Sequence, residues 1–555
     1  MSAQTVEVKA TAADAMADAL VANGVDTVFG LPGAQMYPLF DAFARRTDRL
    51  RTIGARHEQG IAYMAFGYAR STGRLGVFSP VPGPGVLNAS AAMCTALGAC
   101  APVLCLTGEI PSAFRGEGRG HLHELPDQLG ILERLTKYAE HIDAPQDVPA
   151  AMERAIGAAL AGRRGPAALS ICWDTLGRSA SFAAARPATI EEPVDPDPDA
   201  VATCVRLIRE ARRPMIFTGT GGQAAAAEIN ELAERLGAPV VAFRGGRGIV
   251  GDDRPLGLNM AAAWRLWPAT DLVIGIGSRV EIPYMRWPGM LNRLRALPGR
   301  KLIRIDVDPA EMERLDTDGP LVADAAVGVR ALLAALDAAG FATPSDLTAI
   351  EDAKARAEID IRDVQPQMAY LDAIRDVLPR DGFFVEEVSQ MGFTSNFGFP
   401  VYEPRTYVSC GYQGTLGFGF PAALGVKVAH PTRAVVSITG DGGFMFAMPE
   451  LATAVQYGIN LVTIVFDNGA YGNVLRDQET RYDGRTIGAE LVNPDFVALA
   501  RSFGVDAVAV DAPARLRPAL ERAFALDAPA LIHVRVERGS EVSPWRFLHP
   551  SGPVA

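Results

Sequence analysis

The chain has 555 residues, 49% of them hydrophobic and 21% charged, the balance of an ordinary soluble globular enzyme with length for roughly three or four domains. Its net charge of −11 argues against nucleic acid or an anionic membrane surface as partner, and no apolar stretch approaches the ~20 residues of a membrane span. The six cysteines (Cys94, Cys100, Cys105, Cys172, Cys204 and Cys410) show no CxxC or other metal-ligand spacing; most lie in apolar stretches and read as small buried hydrophobes in a reducing compartment.

In chain order, residues 11–23 read as an amphipathic helix rather than a cationic flank with an apolar signal core, so a cytoplasmic protein is expected. Strands are predicted over 28–30, 50–53, 75–78, 103–107 and 168–172, separated by helix-length segments. Residues 184–200, with Pro187, Pro193, Pro196 and Pro198, read as an extended linker. A second block has strands over 214–218, 239–243, 272–276 and 301–305, and 340–367 reads as a charged, core-poor connector. A third block has strands over 383–387, 434–439, 461–466 and 531–536. The expected fold is α/β, with three doubly wound parallel-sheet domains over 1–183, 190–340 and 365–550. Ligands of such sheets sit beyond the strands' carboxyl ends, where Gly30, Gly83, Gly440 and Asn468 fall.

The third block holds the most telling unit. One strand runs into Gly440-Asp441-Gly442-Gly443, and the next ends in Asp467-Asn468-Gly469, with a helix expected over 449–456 between them. This βαβ unit carries a carboxylate and an amide oxygen to the same sheet edge. Two hard oxygen donors beside a glycine turn suit Mg²⁺ held jointly by protein and a diphosphate, and glycines there let main-chain amides approach phosphate oxygens.

That unit resembles the metal–diphosphate motif of thiamine-diphosphate (ThDP) enzymes, GDG followed about 25 residues later by Asn. The resemblance implies Asp441, Asn468 and the Ala470 carbonyl as metal ligands, with Gly442, Gly443 and Tyr471 against the cofactor. Arg56-His57-Glu58-Gln59-Gly60 is similar to a segment of the acetolactate synthase and 2-oxoacid decarboxylase type. There the Glu hydrogen-bonds N1′ of the aminopyrimidine and delegates general-base chemistry to the cofactor. Taken alone, Glu58 also reads as an ordinary acid at a helix start. Val28-Phe29-Gly30-Leu31-Pro32-Gly33 looks like the VFGxPG turn, and Gly83-Pro84-Gly85 with Asn88 looks like the GPG segment. Gly414-Thr415-Leu416-Gly417-Phe418-Gly419 resembles GTMGFG and puts Leu416 where a large apolar residue wedges beneath the bent cofactor; Ser389 and Gln390 lie where relatives touch the diphosphate. The three domains would then be pyrimidine-binding, central and diphosphate-binding. In the family the first and third come from different subunits, which implies a homodimer at least and often a homotetramer.

The chain also departs from that pattern. Synthases carry a Gln-Glu pair where this sequence has His121-Leu122-His123-Glu124. Aligning Glu124 with the family's Glu puts His123 at the Gln position, whereas anchoring on Thr136-Lys137 puts Glu124 there. Either way a titratable group replaces an amide, and a histidine can donate or accept a proton; a satisfied loop histidine is the plainer alternative. The Gln-Trp-Gln element is replaced by Arg476-Asp477-Gln478, where Arg476 reads as a carboxylate partner or as solvated surface charge. Trp545 and Phe547 stand in a segment resembling a closing tail. Flavin-binding segments are replaced by Arg279-Val280-Glu281-Ile282-Pro283, so FAD is doubtful, and Gly219-Thr220-Gly221-Gly222 lacks the acid that an NAD site needs. The expectation is a ThDP- and Mg²⁺-dependent, acetolactate-synthase-like carboligase acting on a small 2-oxoacid-type substrate. The alternatives are a nonoxidative 2-oxoacid decarboxylase or C–C lyase, including the acyl-CoA type, and behind them a flavin- or NAD-linked oxidoreductase.

Overall fold

The computed structural model describes residues 7–341 and 347–550. The chain forms two compact units. One holds the chain up to Glu191 with Cys410–Pro431 and Phe446–Leu461; the other holds Glu192–Ser409, Thr432–Met445 and the chain from Val462 onward.

The first unit is built on a parallel sheet whose strands lie in the order Arg51–Gly54, Thr27–Gly30, Gly76–Ser79, Val103–Glu109, Ala167–Cys172, Tyr138–Ile142. The inner strands are buried throughout, as expected where helices cover both faces. Numbered along the chain, the order is 2-1-3-4-6-5, so connections leave the first strand in opposite directions and the loops after Gly30 and Ser79 part. A two-stranded antiparallel ribbon, Glu7–Thr11 with Ser179–Ala183, flanks this sheet. The expected first helix spans Ala12–Ala22, and Thr11 and Asp14 close a capping box at its start.

The second unit contains two further six-stranded parallel sheets. The sheet ending the chain runs Tyr407–Val408, Phe383–Val385, Val435–Gly440, Val462–Asp467, Ala530–Arg535, Asp506–Val510, and repeats the order 2-1-3-4-6-5. The central sheet runs Gly257–Leu258, Val240–Ala242, Pro214–Thr218, Leu272–Ile276, Lys301–Asp306, Gly319–Val322, the order 3-2-1-4-5-6 typical of dinucleotide folds. Its crevice is filled from within: a side chain on Gly219 would strike the Gly277 carbonyl, and one on Gly221 would lie 2.8 Å from the Gly277 Cα. The glycines of the 219–222 turn therefore serve close packing of the chain on itself.

Two elements differ from the sequence reading. Thr348–Ile361, within the expected connector, is a helix burying Ile350, Ala353, Ala357 and Ile361 on one face; residues 342–346 of that connector lie outside the described residues. The helix expected over 449–456 is preceded by another, Asp441–Ala447, which begins at the aspartate itself.

The outer strand of the first sheet stores a pH response. His141 pairs with Ser170 across that edge, with its Nδ1 2.8 Å from the Ser170 hydroxyl. Burial, with help from the Arg115 charge and against that of Asp143, lowers its pKa from 6.5 to about 4. A depressed histidine binds its proton first in the unfolded chain, so its contribution is complete above 6.5 and is lost as pH falls toward 4. At 1.36 kcal/mol per pKa unit this amounts to roughly 3 kcal/mol. We expect calorimetric stability to fall between pH 7 and pH 4 by about that much less in His141→Asn than in the wild type; equal acid losses would exclude the assignment.

Candidate active site

Glu58 opens the helix Glu58–Thr72, behind an extended His57 whose ring nitrogen caps the Gln59 N–H. Only 9% of Glu58 is exposed. Its Oε2 accepts a 3.0 Å hydrogen bond from Asn88 Nδ2, on the neighbouring helix Pro84–Gly98. Its Oε1 takes no partner among the described residues. The wall facing it is Gly85, where a Cβ would stand 3.4 Å from Oε1 and 2.7 Å from Val81. Val81 in turn fills the space beside Gly33, so the two parted loops of the sheet interlock around this acid.

The turn that aims Glu58 is held by residues far away in sequence. Glu450, buried to 1% exposure, accepts the main-chain N–H groups of Arg56 and His57 at 3.1 Å and the Thr453 hydroxyl at 2.5 Å. Burial pushes its carboxyl above the usual range, and those donors pull it back. The Gly54 N–H donates to the Tyr457 hydroxyl at 2.8 Å. Neither residue carries a local signal; each is recognisable only once the fold brings it to the turn.

The loop of His123 and Glu124 is packed on the Gly83 turn. Gly83, at φ 62°, donates its N–H to Gln128 Oε1 at 2.7 Å, and a side chain there would collide with the His123 carbonyl. His123 itself is left-handed at φ 68°. Its Nδ1 lies 2.8 Å from Gln35 Oε1. The Glu124 carboxylate faces its own loop: the N–H groups of His121, Gly120 and Gly118 hold its pKa down. Leu416 is half-buried, and its neighbours contact the same unit. Thr415 Oγ1 lies 3.2 Å from Thr95 Oγ1, and a Cβ on Gly417 would lie 3.3 Å from Gln59 Nε2.

The second unit gathers the acid-rich site at the parting loops of its last sheet. Asp441, 3% exposed, accepts the Gly469 N–H at 3.0 Å and Asn493 Nδ2 at 2.7 Å on one oxygen. Asn493 Nδ2 also reaches Asp467, whose other oxygen lies 2.9 Å from His533 Nε2. Burial, reinforced by the adjacent Asp467, raises the pKa of Asp441. For Asp467 burial is outweighed by the hydrogen bonds from His533 and Asn493, and its pKa falls. Asn468 donates Nδ2 to Glu541 at 2.6 Å and accepts the Ala470 N–H on Oδ1 at 3.1 Å. Glu541 is raised by burial despite the Arg476 charge, so three acids crowd this place, and the Arg538 guanidinium is engaged by the Asn468 and Gly469 carbonyls. Among the described residues no cluster of three or more His, Cys, Asp or Glu side chains could hold a metal alone. Such a donor set, short of ligands but rich in buried anionic oxygen, fits a cation whose shell is completed by phosphate and water.

The glycines here also make room for side chains of the protein. A Cβ on Gly442 would strike the Tyr471 ring, and one on Gly443 would lie 2.6 Å from Glu387 Oε1, so both glycines admit protein groups. Ser389 caps its helix by accepting the Gly392 N–H, 3.0 Å away, and lies against Gly440. Next to it, Gln390 Oε1 is buried without a partner among the described residues. Arg476 is bonded to Asn473, and Trp545 from the C-terminal segment donates to the same Asn473 oxygen at 2.7 Å.

Models of thiamine pyrophosphate enzymes match in three places: the N-terminal TPP binding domain over residues 10–131, the central domain over 201–334, and the C-terminal TPP binding domain over 387–534. The chain belongs to the thiamine pyrophosphate enzyme family. It is 34% identical to a probable acetolactate synthase large subunit of Methanocaldococcus jannaschii, over 89% of this chain and 86% of that protein. It is also 34% identical to the probable 2-ketoarginine decarboxylase AruI of Pseudomonas aeruginosa, over 89% and 88%. An acetolactate synthase large subunit of Haemophilus influenzae is 30% identical over 89% of each chain. Glu58 and the acid-rich site both lie at the carboxyl edges of sheets of identical strand order, Glu58 after the second strand of its sheet and Asp441 and Asn468 after the third and fourth of theirs.

Glu450 supplies a stability test for the turn that aims Glu58. Glu450→Ala takes the acceptor from the Arg56 and His57 N–H groups and the Thr453 hydroxyl and empties a buried position, and the melting of the enzyme should register a loss of roughly 3 kcal/mol. A loss within error of zero would remove the clamp on the Glu58 turn.

Proposed function

We propose that this chain is a ThDP- and Mg²⁺-dependent enzyme that makes or breaks a carbon–carbon bond next to the carbonyl of a 2-oxoacid-type substrate, in the manner of an acetolactate synthase. The observation that carries the reading is the pair at the carboxyl ends of two adjacent strands of the last sheet: Asp441, 3% exposed and raised in pKa beside Asp467, and the half-buried Asn468. When bound, the cofactor supplies a carbon nucleophile and an electron sink. Asp441, Asn468 and the Ala470 carbonyl would hold the cation, with Ser389, Gln390, Gly442, Gly443 and Tyr471 about the diphosphate. The partnerless Gln390 oxygen supports that placement. Glu58 would keep a proton at the pyrimidine through Oε1, while Asn88 fixes its other oxygen. Leu416 would present apolar surface to the cofactor, and Gly33 lets the first loop close on Val81. His123 would exchange a proton with the reacting substrate, and Glu124 holds the loop that carries it. No flavin enters this reading. The minimum unit is a homodimer, extended to a homotetramer, and the enzyme works in the cytoplasm.

A nonoxidative decarboxylase or lyase is the second reading. It is favoured by the titratable His123 in place of an amide and by the decarboxylase among the relatives at 34% identity. Pyruvate separates the two: acetolactate formation supports carboligation, whereas acetaldehyde or no turnover supports the second.

Two variants test the machinery itself. Glu58→Ala should retain ThDP yet slow hydrogen–deuterium exchange at the thiazolium C2 by at least about 100-fold, the scale of acid–base catalysis; unaltered exchange by NMR would remove its role. Asp441→Ala should instead weaken Mg²⁺-dependent ThDP binding roughly 100-fold by calorimetry, and unchanged affinity would remove the cation site.

A further inference from the structure

His123 has two ring nitrogens, and the surrounding groups decide which one carries the proton. Gln35 is 4% exposed and sits at φ 67°, a region sparsely populated by residues other than glycine. It is wedged in place: a Cβ on Gly108 would lie 3.0 Å from the Gln35 carbonyl and 3.2 Å from its Cβ. One end of its amide lies 2.9 Å from the Leu122 carbonyl oxygen and the other 2.8 Å from His123 Nδ1. A carbonyl oxygen only accepts, so the end facing Leu122 must be the NH₂ group. The end facing the imidazole is then an oxygen, which can only accept, and Nδ1 must donate to it. His123 Nε2 takes no partner among the described residues and is not among the polar atoms sealed in the interior.

We infer that Gln35 is a positioning residue that fixes His123 as its Nδ1–H tautomer and presents Nε2 as the free nitrogen. Two left-handed residues from different loops, Gln35 and His123, are thereby locked together beside the Gly83 turn, on the same loop that brings Gly85 against Glu58. In the neutral ring Nε2 holds a lone pair. On taking a proton there the ring becomes imidazolium while Nδ1–H stays on Gln35, and the proton returns by the same nitrogen. That this nitrogen serves the reaction rests on the proposed function; the tautomer does not.

The test uses holoenzyme labelled with ¹⁵N-histidine. Its seven histidines are few enough for His123 to be assigned from its absence in His123→Asn. We expect the neutral His123 ring of the wild type to carry its proton on Nδ1, the reverse of free histidine. Gln35→Ala should return it to the Nε2–H form and lower kcat about 10-fold or more with a smaller change in KM, whereas Gln35→Glu keeps an acceptor at Nδ1 and keeps the tautomer. A wild-type ring protonated on Nε2, or an unaltered tautomer in Gln35→Ala, overturns the inference; the wild-type spectrum decides even if a variant fails to fold. Expected tautomers with undiminished turnover in both Gln35→Ala and His123→Asn would uphold the positioning by Gln35 and dismiss His123 from the reaction.

Discussion

A parallel sheet whose connections leave neighbouring strands in opposite directions opens a crevice that no helix covers, and main-chain groups from two loops line it. The chain builds that crevice three times. In the first and last sheets the order 2-1-3-4-6-5 sets it beside the first strand, and the flanking loops carry Gly33, Val81 and Gly83 in one case, Glu387, Ser389 and Asp441 in the other. In the central sheet the order 3-2-1-4-5-6 opens the same kind of crevice, yet the loops after Thr218 and Ile276 close on each other through Gly219, Gly221 and Gly277. Topology supplies the position, and the residues on the loops decide whether it stays open.

The buried acids separate by how their charge is met. Burial works against Glu311, but Arg314 and Arg304 hold it down to about 2, as an ion pair within the central domain. Glu450 is met by main-chain N–H groups and a hydroxyl, which suits a clamp on a turn. Asp441 has an amide side chain and main-chain N–H groups, with a second carboxylate at its side, and its pKa moves up where that of Glu311 moves down. An acid buried beside like charge is costly to the fold. The cation proposed for this site would supply the missing charge.

What the sequence displayed and what it hid follow the same physics. The inner strands were legible because burial on both faces demands unbroken apolar runs. The unread strands of the three sheets, Tyr138–Ile142, Gly257–Leu258, Gly319–Val322, Tyr407–Val408 and Asp506–Val510, all lie at sheet edges, where they are short or carry polar side chains. The helix Thr348–Ile361 hid behind its charges because two of its four buried residues are alanines, which add little to an apolar stripe. At the site, Glu58, Asp441 and Asn468 stood out through neighbouring residues in the chain. Asn88 stood out with the GPG segment, but the other partners did not: Glu450, Asn493 and Glu541 are joined to the site only by folding.

Those partners share a logic that bears on specificity. Asn468 can offer a metal either an oxygen or an NH₂ group, and only the oxygen is a ligand; Glu541, a carboxylate, takes the NH₂ and leaves Oδ1 turned the other way. His123 can offer either ring nitrogen, and Gln35 takes Nδ1. Asn88 occupies one oxygen of Glu58 and leaves the other. In each case a neighbour occupies one end of a functional group, so that its orientation is settled before any ligand arrives. The C-terminal segment contributes to this directly. It carries Glu541 to Asn468 and Trp545 to Asn473, close to where the sequence lacks the family's Trp. The same short segment thus brings an aromatic side chain to the helix Gly472–Arg481 and, with it, the carboxylate that orients the Asn468 amide.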